Sequence, residues 1–238
     1  MNIRLFKYLA DMGFGTRSEV KADIKKGKIN INGIVVKDAN FKINTESDKV
    51  LYQGNPIVYE EYEYYMLNKP AGVVSATTDK NDKTVVDLIT SKKKKDLFPV
   101  GRLDKDTEGL LIICNDGELC HNLLSPRKHI DKTYYVCLND TLSKEAEEKI
   151  CTGVFIEKDV MSMPASLTRI TDDKVYLTIQ EGKFHQVKKM FHAVGLEVIY
   201  LKRVSMGGLN LDESLKVGDF RPLTQEEIDY LIKVAKEK

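Results

Sequence analysis

Residues 101–111 read Gly101-Arg102-Leu103-Asp104-Lys105-Asp106-Thr107-Glu108-Gly109-Leu110-Leu111, a charged segment closed by glycines that runs straight into an apolar strand. Sites are usually built on loops that rigid strands hold in place, so this loop is the first candidate for chemistry. Its carboxylates, Asp104, Asp106 and Glu108, fit a hydrolytic pair, a magnesium site or ordinary turn residues, and turn residues are the commonest outcome. Spacing alone does not choose among these interpretations.

The chain around this loop alternates strand-like and helix-like segments. Strands are predicted where β-branched and aromatic residues cluster, at residues 64–67, 110–114, 133–138, 174–179 and 197–203. Helices are predicted at residues 143–151, at 184–194 before Gly195, and after the capping box formed by Thr224 and Glu227. This pattern predicts an α+β domain with a mixed, largely antiparallel sheet over residues 59–238.

The N-terminal segment, residues 1–58, reads as a separate small module of two short helices and a hairpin. Thr16 and Glu19 form a capping box that starts the second helix. One face of that helix carries a basic stripe at i, i+4 and i+8, consisting of Arg17, Lys21 and Lys25. Asn32-Gly33 between two apolar runs predicts a type I′ hairpin turn, and Gly54-Asn55-Pro56 predicts a linker to the larger domain.

Charge is distributed unevenly along a chain whose formal net charge is only +1. Residues 4–37 contain eight basic and three acidic residues, a local net charge of +5. A basic segment of this kind is typical of a surface that faces a polyanion such as RNA.

Composition limits the class of protein. The 238 residues are 42% hydrophobic and 31% charged, which is typical of a globular protein with one or two domains, and no run of eighteen apolar residues occurs. A cytoplasmic location and no membrane partner are therefore expected. The four cysteines form no Cys-x-x-Cys pair, so neither a zinc site nor a disulfide framework is predicted.

Several ordered motifs resemble those of one enzyme family. Beside the Asp104 loop, they are Asn68-Lys69-Pro70-x-Gly72, Ser125-Pro126-Arg127, Lys132-Thr133-Tyr134 and Glu181-Gly182-x-x-His185-Gln186-Val187-Lys188. In this order they resemble the RsuA- and RluA-type pseudouridine synthases. The basic module resembles an S4 RNA-binding domain, through Arg4-Leu5-x-Lys7 and Lys28-x-x-x-Asn32-Gly33. The pairing of both domains is similar to the RsuA branch.

The resemblance implies a function and a set of site residues. It implies isomerisation of uridine to pseudouridine in ribosomal RNA, with Asp104 as the essential carboxylate, Tyr134 stacking on the target base, and no cofactor. The segment His185-Gln186-Val187-Lys188-Lys189-Met190-Phe191 favours 16S, small-subunit RNA over 23S RNA. The expected partner is ribosomal RNA, within a small-subunit assembly intermediate, and a monomer is expected.

The remaining site residues are cationic. Arg102 is expected to occupy the position vacated by the flipped uridine. The resemblance implies that Lys188 pairs with Asp104, because Lys188 matches the arginine that pairs with the catalytic aspartate in many relatives. A helix from residue 184 would place His185, Lys188 and His192 on one face, which would meet both the aspartate and RNA. The two histidines lack the spacing and the third ligand of a zinc site, so no metal is predicted. In the S4-like module, RNA binding is assigned to Arg4, Arg17, Lys21, Lys25 and Lys28.

The sequence departs from the family pattern at two positions. Lys188 stands where many relatives have arginine, and lysine supplies a point charge without the two-pronged geometry of arginine. Phe6 stands where the S4 pattern has an acidic residue. Two other functions stay open: a non-catalytic RNA-binding or ribosome-assembly factor, and a carboxylate glycosidase using Asp106 or Glu108 as its acid.

Overall fold

The structure is a computed structural model that describes residues 2–57, 59, 61–91 and 94–237. The chain divides into two compact units, Met1–Glu63 with Thr90–Asp96, and Tyr64–Ile89 with Leu97–Lys238. The predicted domain boundary after Val58 stays a prediction, and Val58 itself lies outside the described residues.

The N-terminal unit contains two helices and small antiparallel sheets. Its elements are β1 (Asn2–Arg4), α1 (Leu5–Asp11), α2 (Arg17–Lys25), β2 (Ile29–Ile31), β3 (Ile34–Val35), β4 (Lys42–Asn44), β5 (Val50–Tyr52) and β6 (Asn55–Ile57). Strand β1 pairs with β4, and the other four strands form a sheet in the order β3-β2-β5-β6.

Local sequence signals explain this unit. Thr16 and Glu19 make the predicted capping box at the start of α2, whose Val20 and Ile24 are buried. Asn32 and Gly33 both have positive φ and turn β2 into β3, which confirms the predicted hairpin.

The larger unit is an α+β domain, as the sequence predicts. Its strands are β7 (Tyr64–Lys69), β8 (Phe98–Pro99), β9 (Glu108–Cys114), β10 (Lys132–Leu138), β11 (Phe155–Glu157), β12 (Val160–Met161), β13 (Ser166–Arg169), β14 (Lys174–Ile179), β15 (Val198–Met206), β16 (Leu209–Asn210) and β17 (Phe220–Pro222). Its α-helices are α3 (Gly117–Leu124), α4 (Lys144–Thr152), α5 (Gln186–His192) and α6 (Gln225–Glu237). Short 3-10 turns lie at Val86–Leu88 and Pro126–Lys128.

One long sheet organises this unit, in the order β13-β14-β10-β15-β9-β7-β17, with β16 beside β15 and β8 beside β9. Every described pairing in it is antiparallel except that of β9 with β15. Strands β7 and β9 are covered on both faces, since Leu67 and Leu111 belong to one apolar cluster and Met66 and Leu110 to another. Because both faces of β9 are buried, its sequence is a continuous apolar run and does not alternate with polar residues.

Within the described part of the chain, none of the helices is both long enough and apolar enough to span a membrane.

Candidate active site

The loop before β9 is held by the segment that follows β7. Ser75 binds the backbone of Leu103 twice, donating through Oγ to its carbonyl at 2.8 Å and accepting from its amide at 3.0 Å. The amide of Gly72 donates to the carbonyl of Lys105 at 2.7 Å, and the amide of Thr107 closes a turn on the carbonyl of Asp104 at 3.1 Å. The conformation of the Asp104 loop is therefore fixed by residues 72–75 and by a turn within the loop itself.

Lys69 is the centre of this arrangement, and sequence reasoning assigned it no role. Its side chain is fully buried, and Nζ donates to the carbonyls of Pro70, Lys105 and Thr107 at 3.0, 3.3 and 2.9 Å. Burial lowers the pKa of this ammonium to about 8, although the nearby carboxylates act to raise it. Lys69 thus ties the loop to β7 through backbone carbonyls alone.

Asp104 lies between the side chains of Lys188 and His185. The Nζ atom of Lys188 is 3.6 Å from Oδ2, and the Nε2 atom of His185 is 3.7 Å from Oδ1. Lys188 makes its hydrogen bonds elsewhere, to both oxygens of Asp106 at 2.6 and 2.7 Å. This bond holds the pKa of the Asp106 carboxyl below its usual value. Lys188 is near Asp104, as expected, but one ammonium is shared between two carboxylates.

His185 does not lie on the helix with Lys188, so the predicted common helix face is wrong. Helix α5 begins at Gln186, and His185 precedes it in a left-handed conformation with φ of 52°. The buried Gln186 fixes this turn by donating to Glu181 at 2.6 Å and accepting from the amide of Lys183 at 2.9 Å. His192 is exposed and pairs with Glu197 at 2.8 Å, away from the aspartate.

An open cavity of about 960 Å³ lies beside the loop, large enough to admit a nucleotide. Asp104, Arg102, Tyr134 and His185 all line it. Tyr134 is on the covered face of β10 and is 7% exposed, whereas Arg102 is exposed. The structure therefore brings together the five candidate residues of the larger unit, Arg102, Asp104, Tyr134, His185 and Lys188, around one cavity and its rim.

Two cations in the wall of this cavity were not predicted. Lys132 and Arg203 both line it and are 8% and 2% exposed. Lys132 donates to the carbonyl of Ile130 at 2.7 Å, and Arg203 donates through Nε to the carbonyl of Leu110 at 2.8 Å. Lys132 could have been identified from the sequence, because it is the first residue of the Lys-Thr-Tyr motif. Arg203 could not, because it is one of several charged residues in a strand of alternating pattern.

Among the described residues, no three histidine, cysteine or carboxylate side chains converge as metal ligands would.

The candidate residues of the N-terminal unit form a second, separate group. Arg4, Arg17, Lys21 and Lys25 are exposed, and the ammonium of Lys21 lies 4.6 Å from the ring centre of Phe6. Phe6 therefore supports the basic stripe by a cation–π contact, where an acidic residue would form an ion pair. Lys28 differs from the others, because it pairs with Asp23 at 2.7 Å.

Comparisons with known proteins give a consistent result. Residues 63–193 match the family model of RNA pseudouridylate synthase, and residues 3–50 match the S4 domain. A Bacillus subtilis (strain 168) protein described as an uncharacterized RNA pseudouridine synthase is 48% identical, over 96% of this chain and 98% of its own. Ribosomal small subunit pseudouridine synthase A of Escherichia coli (strain K12) is 41% identical, over 95% and 98%. A crystal structure of a pseudouridylate synthase matches with a TM-score of 0.69 and 37% identity, over 96% and 99%.

Proposed function

Because the chain belongs to the RNA pseudouridylate synthase family, we propose that it converts a specific uridine of 16S ribosomal RNA to pseudouridine. The observation that carries this proposal is the position of Asp104 on a nucleotide-sized cavity, between Lys188 and His185 and in the same cavity wall as Tyr134. The choice of small-subunit RNA rests on relatives named for that substrate and on the His185-to-Phe191 segment.

The reaction is an isomerisation that needs no redox step. The C1′–N1 bond breaks, the uracil turns within the site, and C5 bonds to C1′. The hydrogen of C5 then leaves as a proton, and N1 gains one. We assign to Asp104 the role of the essential carboxylate, which acts as a nucleophile at C1′, stabilises positive charge there or accepts the C5 proton.

The cavity wall explains how a base is held during this reaction. The flat ring of Tyr134 offers a stacking face for the flipped uracil, and a buried position keeps that ring in place. The exposed Arg102, two residues before Asp104, is positioned to fill the gap that the flipped base leaves in the RNA. The N-terminal basic stripe supplies phosphate contacts.

We extend the proposal to the cellular context. The substrate is ribosomal RNA in a small-subunit assembly intermediate, because a uridine must be unstacked before it can enter the cavity and folded particles protect their bases. The protein acts as a monomer in the cytoplasm.

Tritium release from RNA that carries 5-labelled uridine tests the central proposal, because only loss of the C5 hydrogen frees the label. The protein should release tritium from small-subunit RNA, and Asp104→Asn should abolish release while RNA affinity changes little. Asp172→Asn, an exposed carboxylate in the connection from β13 to β14, is the matched control. Release of free uracil would instead identify a glycosidase. RNA binding without either product would identify an assembly factor.

A further inference from the structure

Arg203 and Tyr134 are direct cross-strand partners on β15 and β10. Such partners project their side chains from the same face of the sheet. Both are buried and both line the cavity, so the two residues share the wall that would hold the base. This inference rests on the function proposed above.

The hydrogen bonds of Arg203 are incomplete. Its Nε atom donates to Leu110, but its Nη2 atom is buried and has no hydrogen-bond partner among the described residues. No carboxylate of the described chain lies within ion-pair distance of it. Buried donors are nearly always paired, and a buried cation without a counter-charge is costly. Among the described residues, this buried guanidinium therefore has neither a counter-charge nor a hydrogen-bond acceptor for Nη2.

The reaction generates a partner of the matching charge. When the C1′–N1 bond breaks, its electron pair leaves with N1, and the negative charge spreads onto the two carbonyl oxygens of the uracil. The pair is returned when C5 bonds to C1′. Donors aimed at a charge that exists only during the reaction accelerate it more than donors to a permanent charge. A resident carboxylate beside Arg203 would cancel this effect.

We propose that Arg203 is a further catalytic residue, whose free N–H group donates to a carbonyl oxygen of the flipped uracil and stabilises the uracil anion. A backbone phosphate is the competing acceptor. The base is favoured because it enters the cavity first, beside Tyr134, while the phosphates stay at the rim with the exposed Arg102.

The first experiment separates binding from chemistry. Arg203→Met should lower the single-turnover rate on labelled RNA by about 100- to 1000-fold, the usual effect of removing one such donor, with RNA affinity changed less than about threefold. Lys202→Met is the control, since Lys202 is the preceding residue of β15 and projects from the opposite face. A loss confined to RNA affinity, or a variant as fast as the wild type, would refute the proposal.

The second experiment works on the substrate, so it holds even if Arg203→Met is less stable. Replacing O2 or O4 of the target uridine by sulfur weakens that acceptor. One of the two replacements should slow the wild type but add little to the defect of Arg203→Met. If sulfur at O2 and sulfur at O4 each slowed Arg203→Met by the same factor as the wild type, the proposal would be overturned. It would also be overturned if only a phosphorothioate at the target nucleotide lost its effect in Arg203→Met. An inactive wild type would instead contradict the proposed function itself.

Discussion

Lys188 donates to both carboxylate oxygens of Asp106, at 2.6 and 2.7 Å. The carboxylate of Asp106 is 72% exposed, whereas that of Asp104, at 3.6 Å, is 25% exposed. An exposed ion pair contributes little in water, so Asp106 can release the ammonium at small cost when substrate covers the site. The bond to Asp106 holds the Lys188 ammonium 3.6 Å from Asp104 Oδ2.

We therefore expect Lys188→Met to slow single-turnover isomerisation by a few powers of ten, because a desolvated carboxylate without its cation typically costs on the order of 3 to 5 kcal/mol. Asp106→Asn should change the rate less than about threefold. Lys188→Arg should retain appreciable activity. Lys189→Met is the control, since Lys189 pairs with Glu157. Equal, mild effects of Lys188→Met and Lys189→Met would show that Lys188 only contacts phosphate.

Lys69 should make the stability of the protein depend on pH. Its pKa is about 8 in the folded chain and returns to about 10.4 on unfolding. Between these values the unfolded chain binds more protons, so the free energy of unfolding should rise with pH across this interval, and the Lys69 contribution should be constant below it. Urea unfolding near pH 7 and near pH 10 should show this rise in the wild type relative to Lys69→Met. An equal rise in both would contradict the assignment, and Lys149→Met, at an exposed lysine, is the control.

The basic stripe of α2 should control the salt dependence of RNA binding. Replacing Arg17, Lys21 and Lys25 together by Gln should reduce the slope of log K against log salt by about one unit for each phosphate group that is no longer neutralised. Lys28→Gln should reduce it less, because Lys28 is already paired with Asp23. Filter binding over a salt series measures both, and an unchanged slope in the triple variant would show that another surface holds the RNA.

Gly109 should be intolerant of any side chain. A Cβ atom there would lie 2.2 Å from the carbonyl oxygen of Arg203, and the residue has φ of +101°. Gly109→Ala should therefore destabilise the larger unit by roughly 3 kcal/mol or more. Gly72→Ala, at φ of +84° with nothing within 4 Å, should cost about 1 to 2 kcal/mol from backbone strain alone. Similar unfolding midpoints for the two variants would contradict this account.

Sequence patterns predicted the features that depend on local physics. The capping box at Thr16, the Asn32-Gly33 turn and the apolar run before Cys114 each follow from neighbouring residues, and the structure confirms them. Helix α3 also had a local signal that was missed. Asp116 caps it by accepting from the amide of Leu119 at 3.0 Å, but a glycine at its first position obscures the helical pattern.

Features that depend on distant residues could not be predicted in this way. Lys69 and Arg203 lie in strands where a charged residue is ordinarily exposed, and only the assembled sheet shows that both are buried. The left-handed backbone of His185 depends on Gln186 and Glu181, which lock the turn before α5. Side-chain geometry likewise decides which of the two carboxylates Lys188 binds. The spacing of residues in a motif does not predict that geometry.

The parallel pairing of β9 with β15 also bears on the order in which the molecule can fold. Leu110 and Arg203 are separated by 93 positions in the chain, and closing so long a segment is entropically unfavourable until its strands can pair. During synthesis, β15 must leave the ribosome before the cavity has its inner wall. The apolar core of the N-terminal unit is built almost wholly from residues 2–57, so a growing chain can fold its RNA-binding unit well before its catalytic centre exists.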